Sequence, residues 1–205
     1  MNSPQSKFAL VLAVAILTVT ALSVFVRRPL NPVPALVSAP REVPARELVL
    51  RNERSFWKDE TDPFTGIVFE NYPGGSAKSR SMLSHGVLDG VSEGWHTNGT
   101  LQVREYFQNG VSHGARTKWF ESGGKMSEAN IELGKIVGVF RRWHENGALA
   151  EEIQMSDNVP DGISRAFYPS GALKAEAKLE KGKVLEQHFW KENEAPVVAA
   201  SGTAP

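Results

Sequence analysis

The chain contains no cysteine. Disulfides, thiolate metal sites and a cysteine nucleophile are excluded, but the compartment is not, because an exported protein can lack cysteine too. Neither sign of charge is in excess: Lys+Arg and Asp+Glu each total 23 among 205 residues, so the formal net charge is zero. The basic footprint of a nucleic-acid binder is therefore missing. The spacing G-x-S-x-G occurs at Gly90–Gly94 and Gly110–Gly114, but neither leads into the helix that a nucleophile turn requires, and there is no phosphate-binding loop. The folded part also lacks apolar residues at a period of 3.6, which argues against helices.

One stretch lacks charge altogether. Phe8 to Val26 reads FALVLAVAILTVTALSVFV, 19 residues, about the length a helix needs to cross a ~30 Å hydrocarbon core. Lys7 precedes it and Arg27-Arg28 follow. A cleaved signal usually has a shorter apolar region and a small-x-small exit, so the reading is an uncleaved anchor over 1–28. The expected location is single-pass in a bacterial inner membrane. The side on which the body lies is left open, since Lys7 and the arginines after the segment pull opposite ways. Over 29–47, Pro29, Pro32, Pro34, Pro40 and Pro44 predict a stiff extended linker. A disordered tail is expected over 194–205.

What the chain has in abundance is glycine at fixed intervals. Gly66, Gly90, Gly114, Gly138 and Gly162 are each 24 residues apart, as are Gly75, Gly99, Gly123, Gly147 and Gly171. A third column is Gly86, Gly110, Gly134, Asn158 and Gly182. Asn is the other residue that tolerates positive φ, so its appearance there fits a turn position. Other columns follow: Asn71, Trp95, Trp119, Trp143, Phe167, then Tyr72, His96, Phe120, His144, Tyr168.

Each unit reads as two strands. The first runs from the opening glycine to the aromatic pair. A turn such as Asn98-Gly99 or Ser170-Gly171 follows, where positive φ is needed. The second strand resembles LQVREYFQN, and a connector such as Gly110 to Gly114 returns to the next unit. Counting in twos places Ile67, Val91, Ala115, Val139 and Ile163 on one face with the Trp column. Leu83, Phe107, Ile131, Met155 and Leu179 join them, with Ala77, Leu101, Leu149 and Leu173. Lys125 breaks that column. One hairpin cannot bury its own face, but five in a row can share one. The expected fold is all-β: an elongated antiparallel hairpin meander over 48–193, with repeats starting at 66, 90, 114, 138 and 162, plus one N-terminal transmembrane helix. Leu48, Val49, Leu50 and Phe56-Trp57 are expected to cap one end, and His188 to Glu192 the other.

The words GWHTNGTL, RWHENGAL and AFYPSGAL, followed by YFQNG and LEKG, resemble the MORN-repeat variant found in many bacterial proteins, including ones classed as YwqK-type antitoxins. The opening PFTG, Pro63 to Gly66, is similar too. The resemblance spans about 64–185 and implies a membrane-associated scaffold or partner-binding platform, or neutralisation of a partner toxin by binding. The family's motif residues are structural, so no catalytic residue carries over.

For chemistry the sequence offers little. His96 and His144 stand two repeats apart, about 19 Å if strands are spaced ~4.8 Å, too far for one metal ion. A site of His85, His113 and Asp89 is the remaining conceivable metal arrangement. Arg141-Arg142 does not recur as a pair, and no partner can be named for it or for His113; Glu151-Glu152, adjacent on a strand, would point to opposite faces, a poor acid–base pair, with Glu151 inward at a partly exposed edge. The expected partner-binding face is a ladder of Tyr72, His96, Phe120, His144 and Tyr168 opposite the core, beside Arg116 and Arg142. The expectation is thus a non-enzymatic protein with no cofactor, no metal and no nucleic-acid partner. Its partners would be an unidentified protein, the membrane through its anchor, and a second copy through open sheet edges.

Overall fold

A computed structural model of the chain describes residues 39–194. The apolar segment 8–26, the first part of the Pro-rich stretch and the tail beyond Glu194 lie outside the described residues. Among those described, no helix is long and apolar enough to cross a membrane.

The order begins with β1 (Glu42–Pro44), a 3-10 turn (Ala45–Glu47), and the strands β2 (Leu48–Arg51) and β3 (Arg54–Trp57). The repeats follow as β4 (Gly66–Asn71) with β5 (Ala77–Ser84), β6 (Val87–Trp95) with β7 (Leu101–Gln108), and β8 (Val111–Trp119) with β9 (Lys125–Glu132). After them come β10 (Lys135–Trp143) with β11 (Leu149–Ser156), β12 (Val159–Phe167) with β13 (Leu173–Glu180), and β14 (Lys183–Phe189). One 12-stranded sheet runs β1, then β4 to β14 in sequence order, while β2 and β3 form a separate hairpin. Every pair from β4 onward is antiparallel; β1 joins β4 in parallel.

Each repeat is bounded by hairpins at both ends. The first strand starts at the opening glycine, Gly66, only in the first repeat; in the other four it starts three residues earlier than expected, at Val87, Val111, Lys135 and Val159, and passes through the glycine. The connector is a two-residue turn with both residues at positive φ, as in Asn109 (49°) and Gly110 (83°). That is the primed geometry whose twist matches the strands. Asn158, at φ 70°, fills a glycine position. It also gains a bond: its Oδ1 accepts the Ile136 N–H at 2.7 Å, while its own N–H donates to the Ile136 carbonyl at 3.0 Å.

The register corrects the face assignment. Gly90, Gly114, Gly138 and Gly162 stand opposite Phe107, Ile131, Met155 and Leu179. Directly opposite residues share a face, so the residues one place on, Val91, Ala115, Val139 and Ile163, lie on the other face. They oppose Tyr106, Asn130, Gln154 and Lys178. The aromatic column still reaches the apolar face because the register shifts just before it, between Gly94 and Trp95 and again between Arg142 and Trp143. The extra residue at such a bulge re-aims the next side chain. Trp95 thereby stands opposite Leu101, Trp143 opposite Leu149 and Phe167 opposite Leu173. Ile131 and Leu173, on this face, are fully buried.

The N-terminal end is closed by a small core of Val43, Phe64 and Leu83, with Leu48, Trp57, Val68 and Leu88 against it. β1 lies within the range 29–47 read as linker, so ordered structure reaches further toward the N-terminus than the proline pattern indicated. The reason is local: Val43 buries, and the Arg41 carbonyl accepts the Ile67 N–H at 2.8 Å. Gly66 is required there, since a Cβ would sit 2.3 Å from that carbonyl oxygen. At the other end every residue of β14 is exposed, including Val184, Leu185 and Phe189.

Candidate functional site

The column Tyr72, His96, Phe120, His144, Tyr168 is not an exposed ladder on the back of the sheet. All five rings are half-buried at one edge, at the first position of the aromatic turn. Tyr72 Oη donates to the Trp95 carbonyl at 2.7 Å and Tyr168 Oη to the Trp190 carbonyl at 3.0 Å. His96 Nε2 lies 3.0 Å from the Trp119 carbonyl and His144 Nε2 3.0 Å from that of Phe167. A carbonyl only accepts, so both imidazoles carry the proton on Nε2. Tyr72, His96 and His144 thus tie one repeat to the aromatic column of the next, and Tyr168 ties the last repeat to the C-terminal cap. Asn98 and Asn146 add second ties, donating Nδ2 to the Glu121 carbonyl at 2.8 Å and to the Pro169 carbonyl at 2.7 Å. The opposite edge is tied mainly through backbone: the Gly110, Gly134 and Gly182 N–H groups donate to the Leu88, Ser112 and Pro160 carbonyls.

In place of that ladder the back face carries a row of charge. Reading across consecutive strands β5 to β14, the register aligns Arg80, Glu93, Arg104, Thr117, Glu128, Arg141, Glu152, Arg165, Glu176 and His188 in one transverse row. Signs alternate except at Thr117. Arg104 meets Glu93 at 2.7 Å, Arg141 meets Glu152 at 2.9 Å, and Arg165 meets Glu176 at 2.7 Å. Arg141 also reaches Glu128 at 3.5 Å. The two unrepeated pairs of the sequence are therefore partners. Arg141 stands opposite Glu152 on the back face, and Arg142 opposite Glu151 on the apolar face, at 2.6 Å. Sequence spacing could not reveal this, because it depends on the register of β10 against β11. Glu152 is only 5% exposed, so its charge is tolerated only through its guanidinium partner.

The back face also carries apolar side chains in the open. Within strands β4 to β13 the large exposed hydrophobics are Met82, Tyr106, Val111, Val159 and Ile163. All five are on the back face by register. Among the candidates for a ligand site, His85 bonds its neighbour Ser84 at 2.9 Å, and His113 Nδ1 faces the Leu133 N–H at 3.5 Å. Among the described residues no group of three or more His, Asp or Glu side chains is placed to hold a metal ion. Arg116 pairs with Glu105 and Arg142 with Glu151, both on the apolar face.

Comparison with known proteins gives a match at two places. Residues 88–109 and 136–157 match the family model described as the MORN repeat variant. No curated protein matches the chain. Both matched stretches are a β-strand, a W-H-x-N-G turn with its tie to the next repeat, and the returning strand. Those two hairpins of the array, β6 with β7 and β10 with β11, are accordingly MORN-variant repeats.

Proposed function

We propose that this chain is a non-enzymatic, membrane-tethered repeat protein whose sheet serves as a protein-binding or scaffolding surface. MORN repeats are commonly protein- or membrane-binding modules, which supports the coarse reading. The tether rests on the uncharged run from Phe8 to Val26 and the prolines after it. The single observation that carries the binding role is the segregation on the back face: every large exposed apolar side chain of β4 to β13 points to one side, beside a row of charges already neutralised within the chain. Exposed aromatic and aliphatic groups ringed by polar ones are what a partner buries.

The test is a photocrosslinking amino acid placed at Tyr106 in the full chain, in cells. One stoichiometric protein adduct, lost when Met82→Lys is added, is the expected result. Crosslinking only to abundant background proteins, unchanged by that substitution, rejects the reading. An adduct whose expression alone is toxic identifies the antitoxin role that the family resemblance suggests. A topology reporter fused after Pro205 assigns the side of the membrane.

A further inference from the structure

In a repeat array, positions common to all units are explained by the fold. Residues that depart from the common pattern, and cost stability where they stand, need another explanation. The hairpin of β7 and β8 holds such a departure on the apolar face. Arg116 occupies the position filled by Val68, Ser92, Phe140 and Ser164 in the other units, and Glu105 that of Ser81, Ala129, Ile153 and Ala177. Elsewhere this row is small or apolar; here it is an ion pair.

The pair is incompletely satisfied. Glu105 Oε1 accepts Arg116 Nη2, and also the Ser112 hydroxyl at 2.5 Å. Arg116 Nε is buried without a hydrogen-bond partner. An orphaned buried donor is destabilising, and an apolar pair of similar size would do better for stability alone. Two residues on, Lys118 is exposed and makes no ion pair among the described residues. Both cations border a depression of about 620 Å³. Its wall includes His96, Val103 and Trp119. His96 Nε2 is already committed to the Trp119 carbonyl, which leaves the two cations and the Gln102 amide as the donors of the depression. On the apolar face of β7 to β11, Arg116, Lys118, Lys125 and Arg142 outnumber Glu105 and Glu151.

We propose that this depression is a second binding site, on the side of the sheet away from the exposed apolar row, and that it takes a carboxylate side chain of an acidic peptide segment. Glu105 holds the guanidinium in place. Arg116 and Lys118 receive the carboxylate, and an apolar neighbour of the acidic residue lies against Val103 and Trp119. The site goes beyond the back-face reading and does not depend on it: with both, a single sheet joins two proteins across its thickness.

The test uses the full chain purified in detergent and two fluorescein-labelled synthetic 12-residue peptides. One has two glutamates in a Leu/Ala background, and its twin has glutamines. The glutamate peptide is expected to bind at least about tenfold tighter at low salt, as a charge-assisted contact requires. Lys118→Glu, an exposed change, should abolish the preference while leaving the melting temperature unchanged. Arg116→Lys, which keeps the charge but loses the fork, should weaken it. Equal affinity for both peptides, including none measurable for either, overturns the proposal, as does a preference that survives Lys118→Glu. The Tyr106 adduct is read separately, so failure of one site leaves the other standing.

Discussion

The imidazole of His144 reaches forward to the backbone carbonyl of Phe167, a residue 23 positions later, at 3.0 Å. A strand pairing alone would not bring these groups together. The bond joins the turn of one hairpin to the aromatic column of the next, and it recurs as Tyr72 to Trp95 and His96 to Trp119. Phe120 is the member of the column that has no donor.

Phe120→Tyr should therefore add the missing tie. The hydroxyl is expected to reach the Trp143 carbonyl as Tyr72 reaches Trp95, raising stability by about 0.5–1.5 kcal/mol. His144→Phe should lower it by a similar amount. Urea unfolding midpoints at constant m-value check both.

The adjacent arginines should separate sharply. Arg141→Met leaves the buried Glu152 short of its cation and is expected to cost roughly 3 kcal/mol. Arg142→Met breaks an exposed pair and should cost about 0–1 kcal/mol. Parallel chemical denaturation distinguishes them; equal costs would mean that the register of β10 on β11 is wrong.

At the turns, Asn158→Gly should cost about 1 kcal/mol, the net value of the bond from Ile136 N–H to Oδ1. Asn158→Ala should cost roughly 1–2 kcal/mol more than the glycine variant, because alanine loses the same bond yet keeps a Cβ at φ 70°, which glycine removes. Calorimetric melting of the two variants orders them.

The N-terminal cap should be acid-sensitive. Arg41, stacked 4.1 Å from the Trp57 ring, holds the Glu60 carboxyl below its ordinary range through a two-pronged hydrogen bond. The Glu47 carboxyl is lowered by the Trp57 indole N–H first and then by Lys58. A carboxylate whose folded pKa is depressed stabilises the fold fully above its unfolded value, about 4.3, and loses that contribution as pH falls through the folded pKa. The protection factor of the Ile67 amide, bonded to the Arg41 carbonyl, should fall below about pH 4 in hydrogen-exchange measurements, while that of the Ile136 amide holds. In Glu60→Gln the Ile67 amide should exchange faster already at neutral pH and lose most of this dependence.

Much of this architecture was legible in the spacing of glycines. Positive φ is a local demand, so Gly99, Gly110 and even Asn158 announce their turns without help from distant residues. Face assignment failed at Val91 and Val139 because alternation assumes an unbroken pleat, and a bulge before Trp95 and Trp143 resets it. The aromatic-or-His column was visible as a column, but its direction was not. A hydrogen bond to a backbone carbonyl leaves no residue-type mark at the acceptor. The partners of Arg141 and Arg142 were equally hidden, since opposite numbers in a hairpin follow from where its turn closes.

The ties at the two edges have a consequence for how the chain can change. Both link a unit only to its immediate neighbour. Duplicating or excising a single 24-residue unit therefore leaves every junction chemically complete. Array length is a free variable of this design, set by how far apart the things it holds must be, and the ends carry the whole burden of telling the sheet where to stop.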